Sequence, residues 1–249
     1  MTNKIFCVAI SLAAGVLYFV LGIGPWLLFG LFALTLILRL TERFKNSGKF
    51  VEILFIFYFI TYAIYSLGIY YPYSLIIVLT ALVALIFYEG PEWGQLYFIP
   101  AKTAAYFKTA IFFSIASLTA FAATIYFRYP RIANLTPQQW PLDALILIGI
   151  GFAVYRALVE EIIFRSFIFQ RASSAAGGAT AVVAQGVMYG LMQYRVGVPP
   201  GTEGLMLGSL YGFGLGYLVF KSESIFLAIF VQFVVTLGVF VELIILGRL

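Results

Sequence analysis

The sequence contains no histidine and a single cysteine, Cys7, and only 10% of its 249 residues are charged. Each scarcity removes a class of function. With no imidazole and one thiol, the usual transition-metal ligand sets cannot be assembled and no HExxH helix exists, so a zinc protease is excluded. Ser-His and Cys-His nucleophilic pairs fall on the same ground. One cysteine permits no intramolecular disulfide. Any catalysis rests on carboxylates, amides, hydroxyls or arginine, and neither cofactor nor metal is expected. The shortage of charge sets the class, because soluble domains carry about 25% charged residues.

What replaces charge is apolar surface: 63% of the residues are hydrophobic, 26 of them Phe and 17 Tyr counted among the aromatics, and the mean hydropathy is +1.04. About 20 apolar residues span a bilayer. The chain therefore reads as an all-α, polytopic transmembrane helix bundle of eight or nine spans, at roughly 5–23, 26–40, 50–69, 74–88, 103–127, 142–170, 178–195, 204–220 and 225–246. The apolar run from Ile5 is too long for a cleavable signal and reads as a first span. Gly22-Ile23-Gly24-Pro25 breaks the first two spans apart. The loop from Glu89 to Lys102, with Gly90, Pro91, Trp93 and Pro100, reads as interfacial.

The net charge of +5 points to membrane topology rather than to nucleic acid, because the cations gather at segment ends. Arg39, Arg43, Lys45 and Lys49 form the most basic connection. By the positive-inside rule it is cytoplasmic, and so is the N terminus. The organisation is read as N-terminal helices over 1–127 and a C-terminal core over 142–249, joined by the loop 128–141. Lipid is the expected surround.

One stretch is out of keeping with this composition. Arg156 to Gln170 reads RALVEEIIFRSFIFQ and puts Arg156, Glu160, Glu161 and Arg165 into one apolar helix. A charge at mid-bilayer costs about 2.5–3.5 kcal/mol on insertion scales. Arg156 and Glu160 are four apart, as are Glu161 and Arg165, so each pair can share a helix face and neutralise. Two readings stand side by side: ion pairs that let a polar helix insert, or a carboxylate base and its partner inside the membrane.

The other polar residues within spans are few. Gln185 and Gln193 fall in the seventh span, Gln232, Thr236 and Glu242 in the ninth. Singly, such residues are interhelical hydrogen-bonding glue worth about 1 kcal/mol. The eighth span carries Gly204, Gly208, Gly212 and Gly216 along one face, where a neighbouring backbone can approach closely.

Taken in order, these elements resemble the CPBP family of CAAX-processing and bacteriocin-processing membrane proteases, also called the Abi family. The likeness spans roughly Leu142 to Gly247. Its first motif, EExxxR, is Glu160-Glu161-Ile162-Ile163-Phe164-Arg165. The second, FxxxH, falls on Tyr189-Gly190-Leu191-Met192-Gln193. The last, a histidine followed four residues later by Asn or Asp, falls on Gln232 and Thr236.

The resemblance implies that Glu160 activates a water for peptide hydrolysis, with Glu161 and Arg165 beside it. It also implies that positions 193, 232 and 236 orient that water and stabilise the oxyanion. Here both histidines are glutamine and the last residue is threonine. Glutamine can still donate to an oxyanion. It cannot titrate or shuttle a proton. The reading that follows is a catalytically impaired pseudo-protease, acting as a binding, assembly or structural subunit in a prokaryotic cytoplasmic membrane. Its partner would be a membrane protein or a lipidated or transmembrane peptide. The alternative is an active glutamic-type intramembrane endopeptidase working through Glu160. A transporter or channel is a further reading, against which stands the lack of symmetric broken-helix repeats.

Overall fold

In a computed structural model, residues 2–41, 44–68, 73–89, 97–98, 102–128 and 141–246 are described. Among them every regular element is helical and there is no strand, so the polytopic helical class expected from composition holds. Nine helices follow in order. Helix α1 runs Thr2–Gly15 and continues as a π-helical turn, Val16–Val20. Then come α2 (Gly24–Arg39), α3 (Lys45–Ser66), α4 (Tyr73–Glu89) and α5 (Thr103–Arg128). The C-terminal set is α6 (Leu142–Ala176), α7 (Gly178–Val196), α8 (Gly201–Ser222) and α9 (Phe226–Leu246).

Five of these helices are long and apolar enough to cross a membrane, namely α3, α5, α6, α8 and α9. The expectations for the loops at 89–102 and 128–141 lie almost wholly outside the described residues. An exception is Tyr97, whose carbonyl accepts from the amide of Ile225 at 3.0 Å and so ties this segment to the start of α9.

Apolar side chains lie on both sides of the bundle wall. Phe112, Ile115 and Phe127 on α5 point outward, as do Trp26 and Phe29 on α2, as lipid contact requires. The polar residues take the reverse position. Glu160, Glu161, Arg165, Gln185, Gln193 and Gln232 are all buried in the centre. In lipid a polar side chain gains nothing from facing outward, so the bundle collects its polar groups where they can pair.

The sixth span differs from its expected extent. It does not end near residue 170 but continues to Ala176 as one 35-residue helix. Its middle, Ile162–Ile168, is π-helical, which widens the helix by one residue. From Ile163 to Ile168 every side chain is buried, so this stretch is enclosed on all sides. The helix stops at Gly177, whose φ of +88° is readily reached only by glycine.

Helices α7 and α8 make the closest pair in the fold, and glycine is the reason. A Cβ built on Gly212 would sit 3.0 Å from the Cα of Gly186, and one on Gly208 would sit 2.7 Å from the Cγ of Gln193. The glycine face of α8 therefore packs against α7. The other side of α7 receives α1, with Gly15 against Leu191. Helix α9 closes the group by packing on α6 and α5.

A paired substitution tests this packing. A Cβ on Gly190 would lie 1.9 Å from Ser209 Oγ and 2.6 Å from the Leu205 carbonyl oxygen, whereas Gly30 has nothing within 4 Å. Gly190→Ala should lower stability by about 1–3 kcal/mol, the usual cost of overpacking. Gly30→Ala should leave it unchanged or slightly improved. Thermal unfolding in detergent reads both, and equal midpoints would show that the α7–α8 contact is not as close as described.

Candidate functional site

The site is assembled from four helices around the carboxylate of Glu160. One oxygen, Oε1, accepts a hydrogen bond from Arg156 Nε at 2.7 Å, one turn earlier on α6. The other, Oε2, accepts from the hydroxyl of Tyr189 on α7 at 2.9 Å and from Nε2 of Gln232 on α9, also at 2.9 Å. The Gln232 amide also reaches the Tyr189 oxygen at 3.4 Å. Three donors from three helices thus converge on one side chain that is 0% exposed. A buried carboxylate with fewer partners would be costly, since each charge removed from water must be matched by donors.

Glu161 turns to the other side of α6. Its Oε1 stands 3.1 Å from Arg165 NH1, and both side chains are 0% exposed. The guanidinium of Arg165 also lies over the ring of Tyr189, with its central carbon 4.6 Å from the centroid, and 5.7 Å from that of Phe164. A cation over an aromatic face is attracted by the ring quadrupole. Tyr189 therefore serves both ion pairs, holding Arg165 with its face and Glu160 with its hydroxyl. The four charges sum formally to zero.

Beside Glu160 is a cavity of about 30 Å³, lined in part by Arg156, Tyr189, Gln193, Tyr211, Gln232 and Thr236. That is room for at least one water molecule. Three polar atoms among its lining residues are buried and have no partner: Nε2 of Gln193, a donor, Oε1 of Gln232, an acceptor, and the hydroxyl of Tyr211. Gln193 is set by its neighbours, because Gly208 of α8 lies directly against its Cβ and Cγ. Thr236 is one turn beyond Gln232 on α9 and shares its face.

The structure brings Gln193, Gln232 and Thr236 to one cavity, and Glu160 is joined to that cavity through the lining residues Arg156, Tyr189 and Gln232, to which it is hydrogen-bonded. Gln185 does not join them. It donates to the carbonyls of Gly212 at 2.7 Å and Val182 at 3.1 Å, bridging α7 to α8. Glu242 lies farther along α9 and does not line the cavity.

Two participants escaped the sequence reading. Tyr189 was legible only as the aromatic start of a motif, yet its hydroxyl is a direct ligand of Glu160. Tyr211 lines the cavity from the glycine-rich helix, where it stacks on Phe113 at 5.7 Å with its hydroxyl buried and unpartnered. Its signal was present, a lone tyrosine in a run of Gly and Leu.

Removing Arg165 separates structure from chemistry here. Arg165→Ala leaves Glu161 buried without a counter-charge, and stability should fall by about 3–5 kcal/mol. An unchanged melting temperature in detergent would show that the Glu161–Arg165 pair carries no structural weight.

No curated protein and no solved structure matches the chain. Residues 141–238 match the model of the Rce1-like family, described as type II CAAX prenyl endopeptidase Rce1-like. All nine residues from Arg156 to Thr236 that build the ion pairs and line the cavity with polar groups fall within that match. It is this C-terminal region, 141–238, that is similar to the Rce1-like family.

Proposed function

We propose that this integral membrane protein uses its Glu160 pocket to bind rather than to cut, as a binding, assembly or structural subunit of the bilayer. The observation that supports the reading is the engagement of Glu160 by Arg156, Tyr189 and Gln232 at 2.7, 2.9 and 2.9 Å. A carboxylate offers about four lone-pair sites, and at least three are taken. To draw a proton from a water in the cavity, Glu160 must loosen one of these bonds. Neither glutamine can carry the proton onward to a leaving amine. The loss of one general acid–base group typically costs about 10²–10⁴ in rate.

The pocket suits binding because its free polar atoms are complementary. Gln193 offers a donor and Gln232 an acceptor, which together match a peptide amide or a single water. The partner that fits is a peptide terminus or a transmembrane segment of another protein.

A second reading rests on the cavity itself. A water there would sit between Glu160 and the two glutamines. In that reading Glu160 takes the water proton, the hydroxide adds to a carbonyl carbon, and the Gln193 amide donates to the oxyanion. Glu160 then returns the proton to the departing amine. The substrate class is a peptide near a lipidated or membrane-embedded end.

One assay decides between them. The protein and a variant carrying Gln193→His, Gln232→His and Thr236→Asn are reconstituted and offered a peptide library that includes prenylated C-terminal peptides. Binding without Glu160-dependent cleavage by the protein, with cleavage gained in the triple variant, is the expected result. Cleavage by the unmodified protein that disappears in Glu160→Gln would overturn the first reading in favour of the second.

The proposed setting is a prokaryotic cytoplasmic membrane with the N terminus and the Lys45 connection on the cytoplasmic side. Cys7 is buried, so it leaves a quiet background for thiol labelling. Lys45→Cys should react with a membrane-impermeant maleimide in inside-out vesicles and stay unlabelled in right-side-out ones. The opposite pattern would reverse the topology.

A further inference from the structure

A second cavity, about ten times larger, lies on the opposite side of α7, away from Glu160. It has a volume of about 300 Å³ and is lined by Tyr18, Gly22, Gly24, Tyr62, Ser66 and Arg195 with their neighbours. The geometry points to this cavity as a binding site for a phosphate oxyanion, presented at the level of the lipid headgroups. It shares no lining residue with the Glu160 pocket, so the inference stands apart from the function proposed above.

Charge and donors make the case. Among the described residues Arg195 is the one charged residue of the lining, no carboxylate lines the cavity, and Arg195 forms no ion pair. A guanidinium is planar and presents paired N–H donors that match phosphate oxygens. Tyr18 is 6% exposed, and its hydroxyl has no hydrogen-bond partner among the described residues, although it lies within electrostatic range of Arg195, Tyr62 and Tyr65. Tyr18 lines the cavity and its hydroxyl is not among the buried unpartnered atoms, so it is open to a ligand there as a donor.

The backbone adds to this. Helix α2 begins at Gly24 with no side-chain cap, and Gly24 lines the cavity. Uncapped N–H groups at a helix start carry partial positive charge. Two glycines line the cavity. Gly22 takes φ +70°, and a Cβ on Gly24 would come 2.9 Å from Tyr62 Cδ2. The π-helical turn Val16–Val20 forms the facing wall and carries Tyr18. Tyr18 in turn is wedged against Phe19 and Tyr58, each with a centroid 5.0 Å away.

Position selects the source of the anion. The cavity sits where α1 ends, α2 begins, and α3 and α7 finish, which is the end of the bundle. Trp26 and Tyr62 are exposed beside it, in the manner of the aromatic belts found at headgroup depth. Leu21, Phe59 and Leu67, all exposed, supply apolar surface for acyl chains. A phosphodiester carried on a lipid reaches this place without leaving the membrane, whereas free phosphate must enter from water.

The test uses the full chain, delipidated in neutral detergent. Three probes are titrated and read by native mass spectrometry and by the thermal midpoint: dioleoyl phosphatidylglycerol, dioleoylglycerol with the same chains but no phosphate, and inorganic phosphate. Phosphatidylglycerol should bind and raise the midpoint, and dioleoylglycerol should not. Arg195→Gln should weaken binding roughly tenfold or more, as for loss of a charge-assisted hydrogen bond. Tyr18→Phe keeps the ring and removes only the hydroxyl, and should weaken it about fivefold. Lys108→Gln, which removes an exposed cation on α5, should change nothing.

Saturable inorganic phosphate binding that Arg195→Gln abolishes would support the same oxyanion site and assign it to the free ion. Unaltered phosphatidylglycerol binding in both Arg195→Gln and Tyr18→Phe would overturn the inference. So would equal binding of dioleoylglycerol. Tyr18→Phe keeps the question decidable if Arg195→Gln does not fold.

Discussion

The pairing of four charges along one buried helix is the constraint on which this structure depends. Arg156 with Glu160 and Glu161 with Arg165 place two cations and two anions within ten residues of α6. None of these groups could remain in an apolar interior alone, because the effective penalty is several kcal/mol per ion. Once they are paired, the surrounding helices are fixed by what the pairs still lack. Glu160 needs further donors, and α7 and α9 supply them through Tyr189 and Gln232. Arg165 needs a polarisable neighbour, and the face of Tyr189 provides it. The packing order of the C-terminal helices follows from satisfying this cluster.

Close approach is the second requirement, and it is met by the absence of side chains. Tyr189 and Gln193 can reach across to α6 and the cavity only because α8 comes up behind them with glycine. Gly208 and Gly212 allow the α8 backbone to support α7 at near contact. The glycine stripe thus acts at a distance from the chemistry, by limiting the positions that the pocket's amide and hydroxyl can adopt. Larger residues there would move α7 as a body and lengthen the bond to Glu160.

Much of this was legible in the sequence, for physical reasons. Helical class and approximate spans followed from hydropathy, because an apolar segment of sufficient length in lipid has few alternatives to a helix. The i,i+4 pairs were legible because both partners lie on one helix. Gln193, Gln232 and Thr236 could be placed only through their order relative to a family pattern, since their convergence is tertiary. The part played by Tyr189 was not legible. A tyrosine in a run of apolar residues looks the same whether its hydroxyl meets lipid headgroups, water or a carboxylate. The π-helical turn within α6 was also hidden, since no residue type in Ile162–Ile168 demands it. The cavity around Arg195 is not legible in the sequence because its parts come from four separate helices.

The local character of the ion pairs has a consequence for biogenesis. Each cation finds its anion one turn away on the same helix, so neutralisation requires helix formation and nothing else. A nascent α6 can leave the insertion machinery already compensated, before α7, α8 or α9 has been made. The bonds from Tyr189 and Gln232 belong to a later stage, when separately stable helices associate within the bilayer. The order of synthesis therefore matches the order of electrostatic need: the helix that would be hardest to insert brings its own counter-ions.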